Sequence, residues 1–335
     1  MKILVTGGAG FIGSHTVVAL VEAGFEPVII DDFSNSQKRA LDGLEKILGK
    51  PVKCYEKNCN NFETLQNVFQ KEQIKGVIHF AAFKAVGESV QNPLKYYENN
   101  IGSLITLLKA MTTEGVQNII FSSSATVYGL SKELPATEQT PTQRAMSPYG
   151  MTKQMGEDIL NDVVASGAPI RGISLRYFNP IGAHPSALIG ELPLGIPNNL
   201  VPFITQTGAG IREKLTVYGD DYDTPDGTCL RDYIHVSDLA EAHVAAIKRL
   251  IGLEKDNYYD VFNVGTGTPN SVLEVIKTFE EVSEKPLNYQ IGARRVGDVP
   301  ALYADATKIK TELGWTAKCS MQQALEDAWR WQKTL

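Results

Sequence analysis

The segment SPYGMTK, residues 147–153, sets a tyrosine and a lysine four positions apart. Ser147 is a good N-cap and Pro148 a good first helical residue, so the segment reads as a helix start. Tyr149 and Lys153 then share one helical face. A phenol beside an ammonium suits proton transfer, because a nearby cation favours the phenolate. Taken alone, the same spacing also fits an amphipathic helix with one exposed cation. A second motif lies at the N-terminus, where KILVT runs into TGGAGFIG, with glycines at 7, 10 and 13, and then into a helical pattern. Strand, glycine turn and helix together let backbone approach a pyrophosphate at a helix N-terminus. Asp31 closes the next strand about 20 residues on, where an acid accepts hydrogen bonds from an adenosine ribose. An acid there opposes a 2′-phosphate and favours NAD over NADP.

These residues need a scaffold that ends strands and starts helices along one edge, and the first half of the chain has that rhythm. KILVT, PVII, PVKCYE, GVIHFA and NIIFSSS read as buried strands. Between them FIGSHTVVALVEAG, the segments around SQKRALDGLEKILG and NFETLQNVFQKEQ, and the stretch from Pro93 to Thr113 read as helices. The helix at SPYGMTK and the strand IRGISLRYF continue the pattern to Phe178. The fold class this predicts is α/β, a Rossmann-type doubly wound parallel sheet. Beyond Asn179 comes NPIGAHPSALIGELPLGIPNNL, either a ligand-covering loop or a linker. Shorter elements follow: a helix from Val201, the strand KLTVYG, the segment CLRDYIHV, a helix over 238–250 capped by Asp238, the strand YDVFNVG and terminal helices. Residues 1–178 are expected to form an NAD-binding domain. Residues 179–335 are expected to form a smaller α/β lobe, partly interleaved with it.

At 335 residues and 43% hydrophobic the chain can bury a substantial core. A net charge of −6 gives no general reason to seek nucleic acid or an anionic membrane, so any anionic ligand must be held by placed residues. No run approaches the roughly 20 apolar residues of a membrane-spanning helix. Cys54, Cys59, Cys229 and Cys319 form no C-x-x-C pair and the histidines no ligand set with them, so neither a disulfide framework nor a metal site is expected. Glycines interrupt the N-terminal apolar run too early for a signal peptide, and a cytoplasmic location is expected.

The glycine pattern, the serines at 122–124 and Y-x-x-x-K form a set, and in it the sequence resembles the extended short-chain dehydrogenase/reductase family. More narrowly it resembles the UDP-hexose 4-epimerases over nearly the whole chain, through TGGAGFIGSH, HFAAFKAVGESV, FSSSATVYG, SPYGMTK, LRYFNPIGAHPS, GIPNNL, DGTCLRDYIHV and RRVGD. The resemblance implies an active site of Ser124, Tyr149 and Lys153 with NAD as cofactor. In that reaction Tyr149 phenolate takes the proton of the sugar 4-hydroxyl while the C4 hydride passes to NAD+. The keto sugar then turns its other face and the hydride returns, inverting C4 with no net redox change. Moving a tyrosine pKa from about 10 to about 7 takes roughly 4 kcal/mol of phenolate stabilisation. Lys153 and the cationic nicotinamide are expected to supply it. Lys153 would also hold the nicotinamide ribose, and Ser124 would hydrogen-bond the substrate oxygen.

The resemblance further places Gly7, Gly10, Phe11, Ile12, Gly13, Asp31, Asp32, Phe33, Ser34, Asn35, Ser36, Phe80, Ala81, Ala82, Lys84, Asn99 and Phe178 at the cofactor, with Lys84 contacting the pyrophosphate. Asn58 and Cys59 also fall there, where the family commonly has an aspartate and an apolar residue. Asn58 can still offer an amide oxygen to the adenine amino group, so weakened or rearranged adenine recognition is expected. Asn179, Asn199, Leu200, Tyr218, Arg231, Arg295 and Asp298 fall on positions that hold uridine and diphosphate, and arginine suits phosphate through its two-pronged fork. Leu302, in ALYAD, stands where epimerases restricted to plain hexoses often carry a tyrosine. The shorter side chain leaves space for a 2-acetamido group, so activity on both plain and N-acetylated UDP-hexoses is expected.

Rival readings differ at the site. A 4,6-dehydratase would need an acid pair after the strand-end serine, and Ala125 and Thr126 stand there instead. An NAD-dependent dehydrogenase of a nucleotide sugar is the remaining alternative, separated by its need to exchange cofactor with solution. A non-catalytic NAD sensor would not need Tyr149 and Lys153. Relatives commonly form homodimers through a four-helix bundle, here the helix ending near Thr113 and the one beginning at Ser147. Leu104, Leu107, Leu108, Ile159 and Leu160 suit that interface or packing on the subunit's own sheet.

Overall fold

The computed structural model describes residues 1–130, 133–295 and 297–335; Val296, inside the RRVGD string, lies outside the described residues. The apolar runs of the first half form β1 (Lys2–Thr6), β2 (Glu26–Asp31), β3 (Lys53–Glu56), β4 (Gly76–His79), β5 (Asn118–Ser124) and β6 (Arg171–Tyr177). Between and after them run α1 (Phe11–Glu22), α2 (Arg39–Leu48), α3 (Phe62–Glu72), α4 (Val86–Gln91), α5 (Pro93–Tyr96), α6 (Gly102–Glu114) and α7 (Pro148–Ala165). The single helix expected from Pro93 is interrupted by a π turn at Tyr97–Ile101, the kind of segment often found beside functional sites. In the second half follow β7 (Asn179–Ile181), α8 (Leu200–Gly208), β8 (Leu215–Tyr218), β9 (Leu230–His235), α9 (Val236–Ile251) and β10 (Tyr258–Val264). The chain closes with β11 (Pro269–Ser271), α10 (Val272–Ser283), β12 (Tyr289–Gly292), β13 (Ala301–Leu302), α11 (Thr307–Leu313) and α12 (Met321–Gln332).

The main sheet is parallel throughout, in the order β10-β6-β5-β4-β1-β2-β3. Its residues read as continuous apolar runs because helices cover both faces. On one face α1, α2 and α9 pack through Val17, Leu20, Leu44, Leu239 and Ile247. On the other, α3, α6 and α7 pack through Leu65, Leu104, Leu107, Leu108 and Leu160. Those last four leucines are buried in the subunit's own core, which removes them from any dimer face; Ile159 packs against the same cluster. The apolar side chains exposed nearby are Ile105 and Met155, with Val86, Val90 and Leu94 on the adjoining short helices.

The chain beyond Asn179 returns to this sheet, since β10 pairs with β6 from Tyr258 opposite Arg171 to Val264 opposite Tyr177. Helices α9 and α11 also pack on this sheet, and a smaller lobe is built around β11-β9-β13 and β7 in one sheet and β12-β8 in another. Val201, Ile204, Phe279, Leu325 and Trp329 make its core. One local expectation is corrected here. The helix cap is His235, whose Nδ1 accepts from the Ser237 N–H at 3.0 Å, rather than Asp238. Asp238 Oδ2 instead accepts from the backbone of Lys318 and Cys319 at 3.0 and 2.8 Å, a tertiary contact that local capping rules do not see.

Candidate active site

Chain order reverses at β1, which lies between β2 and β4, and ligands of open α/β sheets bind at the strand ends beside such a switch. There the chain forms a cleft of about 310 Å³. Gly7 adopts φ +68°, and a Cβ on it would lie 2.9 Å from Ala81 N; one on Gly13 would lie 2.3 Å from the Gly7 carbonyl oxygen. Only glycine lets the turn close onto both neighbours. The helix α1 then begins at Gly10 with no side-chain cap, leaving its first N–H groups for an anion. Asp31 is anchored beside them: Oδ2 accepts from Ala9 N–H at 2.9 Å, and Oδ1 from Phe33 N–H at 3.0 Å and Ser36 Oγ at 2.7 Å. An uncapped helix start and an oriented acid fit the pyrophosphate and ribose of a dinucleotide.

Every residue expected at the cofactor lines this cleft except Phe33, Ser124 and Phe178. Phe33 holds a positive φ of 55° at the turn after β2, with Lys38 Nζ 5.5 Å from its ring centre. Phe178 is buried in a cluster with Ala125, Val127 and Tyr128, against which Leu302 packs. Asn58 lines the cleft, but its Oδ1 already accepts from Asn60 N–H at 2.7 Å and its Nδ2 donates to Asp32 Oδ2 at 3.1 Å. One lone pair of the expected adenine acceptor is therefore held locally. Cys59 is buried, and burial pushes its thiol up to about 12.

Ser147 Oγ accepts from Gly150 N–H at 3.1 Å and starts α7 where the sequence places it. Tyr149 and Lys153 both line the cleft, and Lys153 Nζ lies 5.8 Å from the Tyr149 ring centre. Lys153 Nζ donates to Ser122 O at 2.6 Å and to Ser122 Oγ at 3.1 Å. Burial lowers the lysine to about 7. Burial raises the Tyr149 phenol to about 12, opposed by its hydrogen bond with Ser124. Any positive charge that acidifies Tyr149, from Lys153 or from a bound nicotinamide, must outweigh that desolvation. Ser124 ends β5 and its Oγ accepts from Thr126 N–H at 3.2 Å.

Of the residues expected at the nucleotide sugar, Asn199 lines the cleft, at the start of α8 beside Leu200. Asn179 opens β7, and Leu302 on β13 pairs opposite Arg231 on β9. Arg295 donates to Asp298 at 3.0 and 2.9 Å and lies 5.5 Å from the Tyr218 ring centre. Arg231 donates to the carbonyls of Leu230 and Val299, both at 2.8 Å, and stands 3.8 Å from Asp298. These four residues form one group on the smaller lobe. Sequence reasoning missed Ser122, Glu191 and Trp331, all lining the cleft. Ser122 sits inside the serine run already singled out, and Glu191 is the only acid between Asn179 and Leu200. Trp331 carries no local signal, because it reaches the site from 140 residues away.

A family model described as GDP-mannose 4,6 dehydratase matches residues 4–328. The UDP-glucose 4-epimerase of Bacillus subtilis is 50% identical over 334 residues, covering 100% of this chain and 97% of that one. The structure of the Bifidobacterium longum UDP-glucose 4-epimerase with NAD+ and UDP matches with a TM-score of 0.95 at 48% identity, covering 100% of this chain and 98% of that one. The UDP-Glc/GlcNAc 4-epimerase of Campylobacter jejuni matches with a TM-score of 0.85 at 36% identity, covering 100% and 99%. Ala125 and Thr126, in place of an acid pair after Ser124, separate this site from a dehydratase within that broad family model. The chain belongs to the UDP-glucose 4-epimerases of the extended short-chain dehydrogenase/reductase family.

Proposed function

We propose that the protein interconverts UDP-glucose and UDP-galactose by transient oxidation at C4, with NAD held in the cleft beside Tyr149 and Lys153. The observation that carries this reading is the pair of Tyr149 and the buried Lys153 on α7, both lining the glycine-turn cleft. When bound, NAD would supply the acceptor, and then the donor, of the C4 hydride. Asp31 holds the adenosine ribose, and the start of α1 holds the pyrophosphate. Lys153 spends two of its three N–H groups on Ser122, leaving the third for the nicotinamide ribose. Tyr149 takes the proton of the sugar 4-hydroxyl and returns it, while Ser124 hydrogen-bonds the same oxygen. Arg231, Arg295, Asp298, Tyr218, Asn179, Asn199 and Leu200 hold the UDP portion while the keto sugar turns.

The protein also accepts the N-acetylated pair. Leu302 at the edge of the Phe178 cluster is shorter than a tyrosine and has no hydroxyl to close the space. It acts as a homodimer, with Ile105 and Met155 on α6 and α7 giving the exposed apolar contact. It works in the cytoplasm; no described helix is long and apolar enough to cross a membrane. The deciding experiment incubates purified protein, without added NAD, with UDP-galactose and UDP-N-acetylgalactosamine in separate reactions. Conversion of both is expected. Conversion of UDP-galactose alone would refute the wide pocket, and a requirement for stoichiometric NAD would favour a net dehydrogenase.

A further inference from the structure

Three parts of the chain, distant in sequence, meet at one acid. Glu191 Oε1 accepts from Lys84 Nζ at 3.0 Å and from Asn199 Nδ2 at 2.6 Å. Its own carbonyl accepts from Trp331 Nε1 at 2.9 Å. Gly190, just before it, lies so close to the Trp331 ring that a Cβ there would stand 2.5 Å from a ring carbon. Trp331 is in turn covered by Arg39, whose guanidinium lies 5.0 Å from the indole centre and whose Nη2 donates to Thr334 O at 3.0 Å. The Glu191 side chain is 10% exposed, while Lys84 remains 51% exposed, so the carboxylate is the fixed member of the pair.

A carboxylate lining a cleft that must hold two diphosphates needs a reason, because like charges there oppose binding. Its two partners supply one. Lys84 comes from the loop after β4, on the cofactor side, and Asn199 from the start of α8, on the nucleotide-sugar side. Glu191 joins the two, and Trp331 pins the joint to the C-terminal helix. We infer that Glu191 is a positioning residue that ties the Ile189–Asn199 segment across the cleft, so that the cofactor stays bound through repeated turnovers and Asn199 is held for the nucleotide sugar. This rests on the epimerase reading above, in which a reaction without net redox change gains from a captive cofactor.

The test compares wild type, Glu191→Ala, Glu191→Gln and Trp331→Phe, each loaded with NAD and passed through a desalting column. Retained nucleotide is measured by absorbance and by enzymatic assay of the released NAD. Glu191→Ala is expected to lose NAD at least about tenfold faster and to raise KM for UDP-galactose about tenfold, the scale of losing one charge-assisted hydrogen bond at each partner. Added NAD should restore much of its rate. Glu191→Gln keeps an acceptor oxygen for both donors and should retain NAD within about twofold of wild type. Trp331→Phe keeps an aromatic ring, smaller than the indole, and loses the N–H, and should move retention in the same direction as alanine by less; it carries the test if Glu191→Ala does not fold. Variants that hold NAD and bind UDP-galactose as wild type does overturn the inference, as does equal loss in the alanine and glutamine variants. A wild type that holds no NAD overturns this inference alone, while the epimerase reading falls only if UDP-galactose is not converted even with NAD added, so the two failures are distinct.

Discussion

The catalytic corner and the smaller lobe's charged group are built in opposite ways. Tyr149, Lys153 and Ser122 stand on a regular helix and a regular strand, with Lys153 and Ser122 buried and Tyr149 partly so. Arg295, Tyr218 and their neighbours stand on short strands and loops, and Arg295 is 58% exposed and pairs with Asp298 and the Tyr218 ring. Chemistry needs the first kind of site, since a proton must move over a fraction of an ångström. On the function proposed above, holding a nucleotide while its sugar turns needs only the second. In the first region burial has moved the titrating groups far from their ordinary values. In the second, Arg295 rests on the Asp298 carboxylate and Arg231 on the Leu230 and Val299 carbonyls.

The sharpest way to break this contrast is Tyr149→Phe. It should lower kcat by about 10²- to 10⁴-fold while leaving KM for UDP-galactose and NAD retention nearly unchanged. A nearly active variant would remove the proton-transfer role. Arg295→Met should show the mirror image: KM raised about 10- to 100-fold with kcat little changed and a thermal midpoint near wild type, because the side chain is exposed and its pairing local. A fall in kcat as large as its rise in KM would erase the distinction between the regions. The smallest signal is a tyrosinate titration followed at 295 nm as a difference between wild type and Tyr149→Phe. The cofactor-free phenol, raised to about 12 by burial, should ionise only in the alkaline range, and NAD loading should move it down by several pH units. The sign for stability follows from linkage. Lys153, lowered to about 7, leaves the unfolded chain binding more protons between there and the ordinary lysine value of 10.5, so this group's contribution to cofactor-free stability rises with pH across that window. Identical titrations with and without NAD would mean that the cofactor's charge is not what activates Tyr149.

Local grammar carried much of this protein. Ser147 and Pro148 start α7 as their types dictate, and the strand–glycine–helix run at the N-terminus forms the cleft. The leucines of α6 and α7 were legible as apolar but not as to what they face, because a helical period marks a buried stripe without naming its partner. Asp238 was misread for a related reason: it has a capping residue's chemistry, and a distant loop at Lys318 and Cys319 claims its carboxylate.

The sequence alone determined the alternation of strands and helices, the anion-binding turn and the pairing of Tyr149 with Lys153, since each depends on neighbours within a few residues. Only the tertiary structure decided that β10 returns to the edge of the first sheet and that Glu191 joins Lys84, Asn199 and Trp331. It also decided that burial pushes the Tyr149 phenol up and the Lys153 ammonium down. The physical reason is the same in each case: contact between distant segments and exclusion of water are properties of the packed chain, and no local pattern of residue types encodes them.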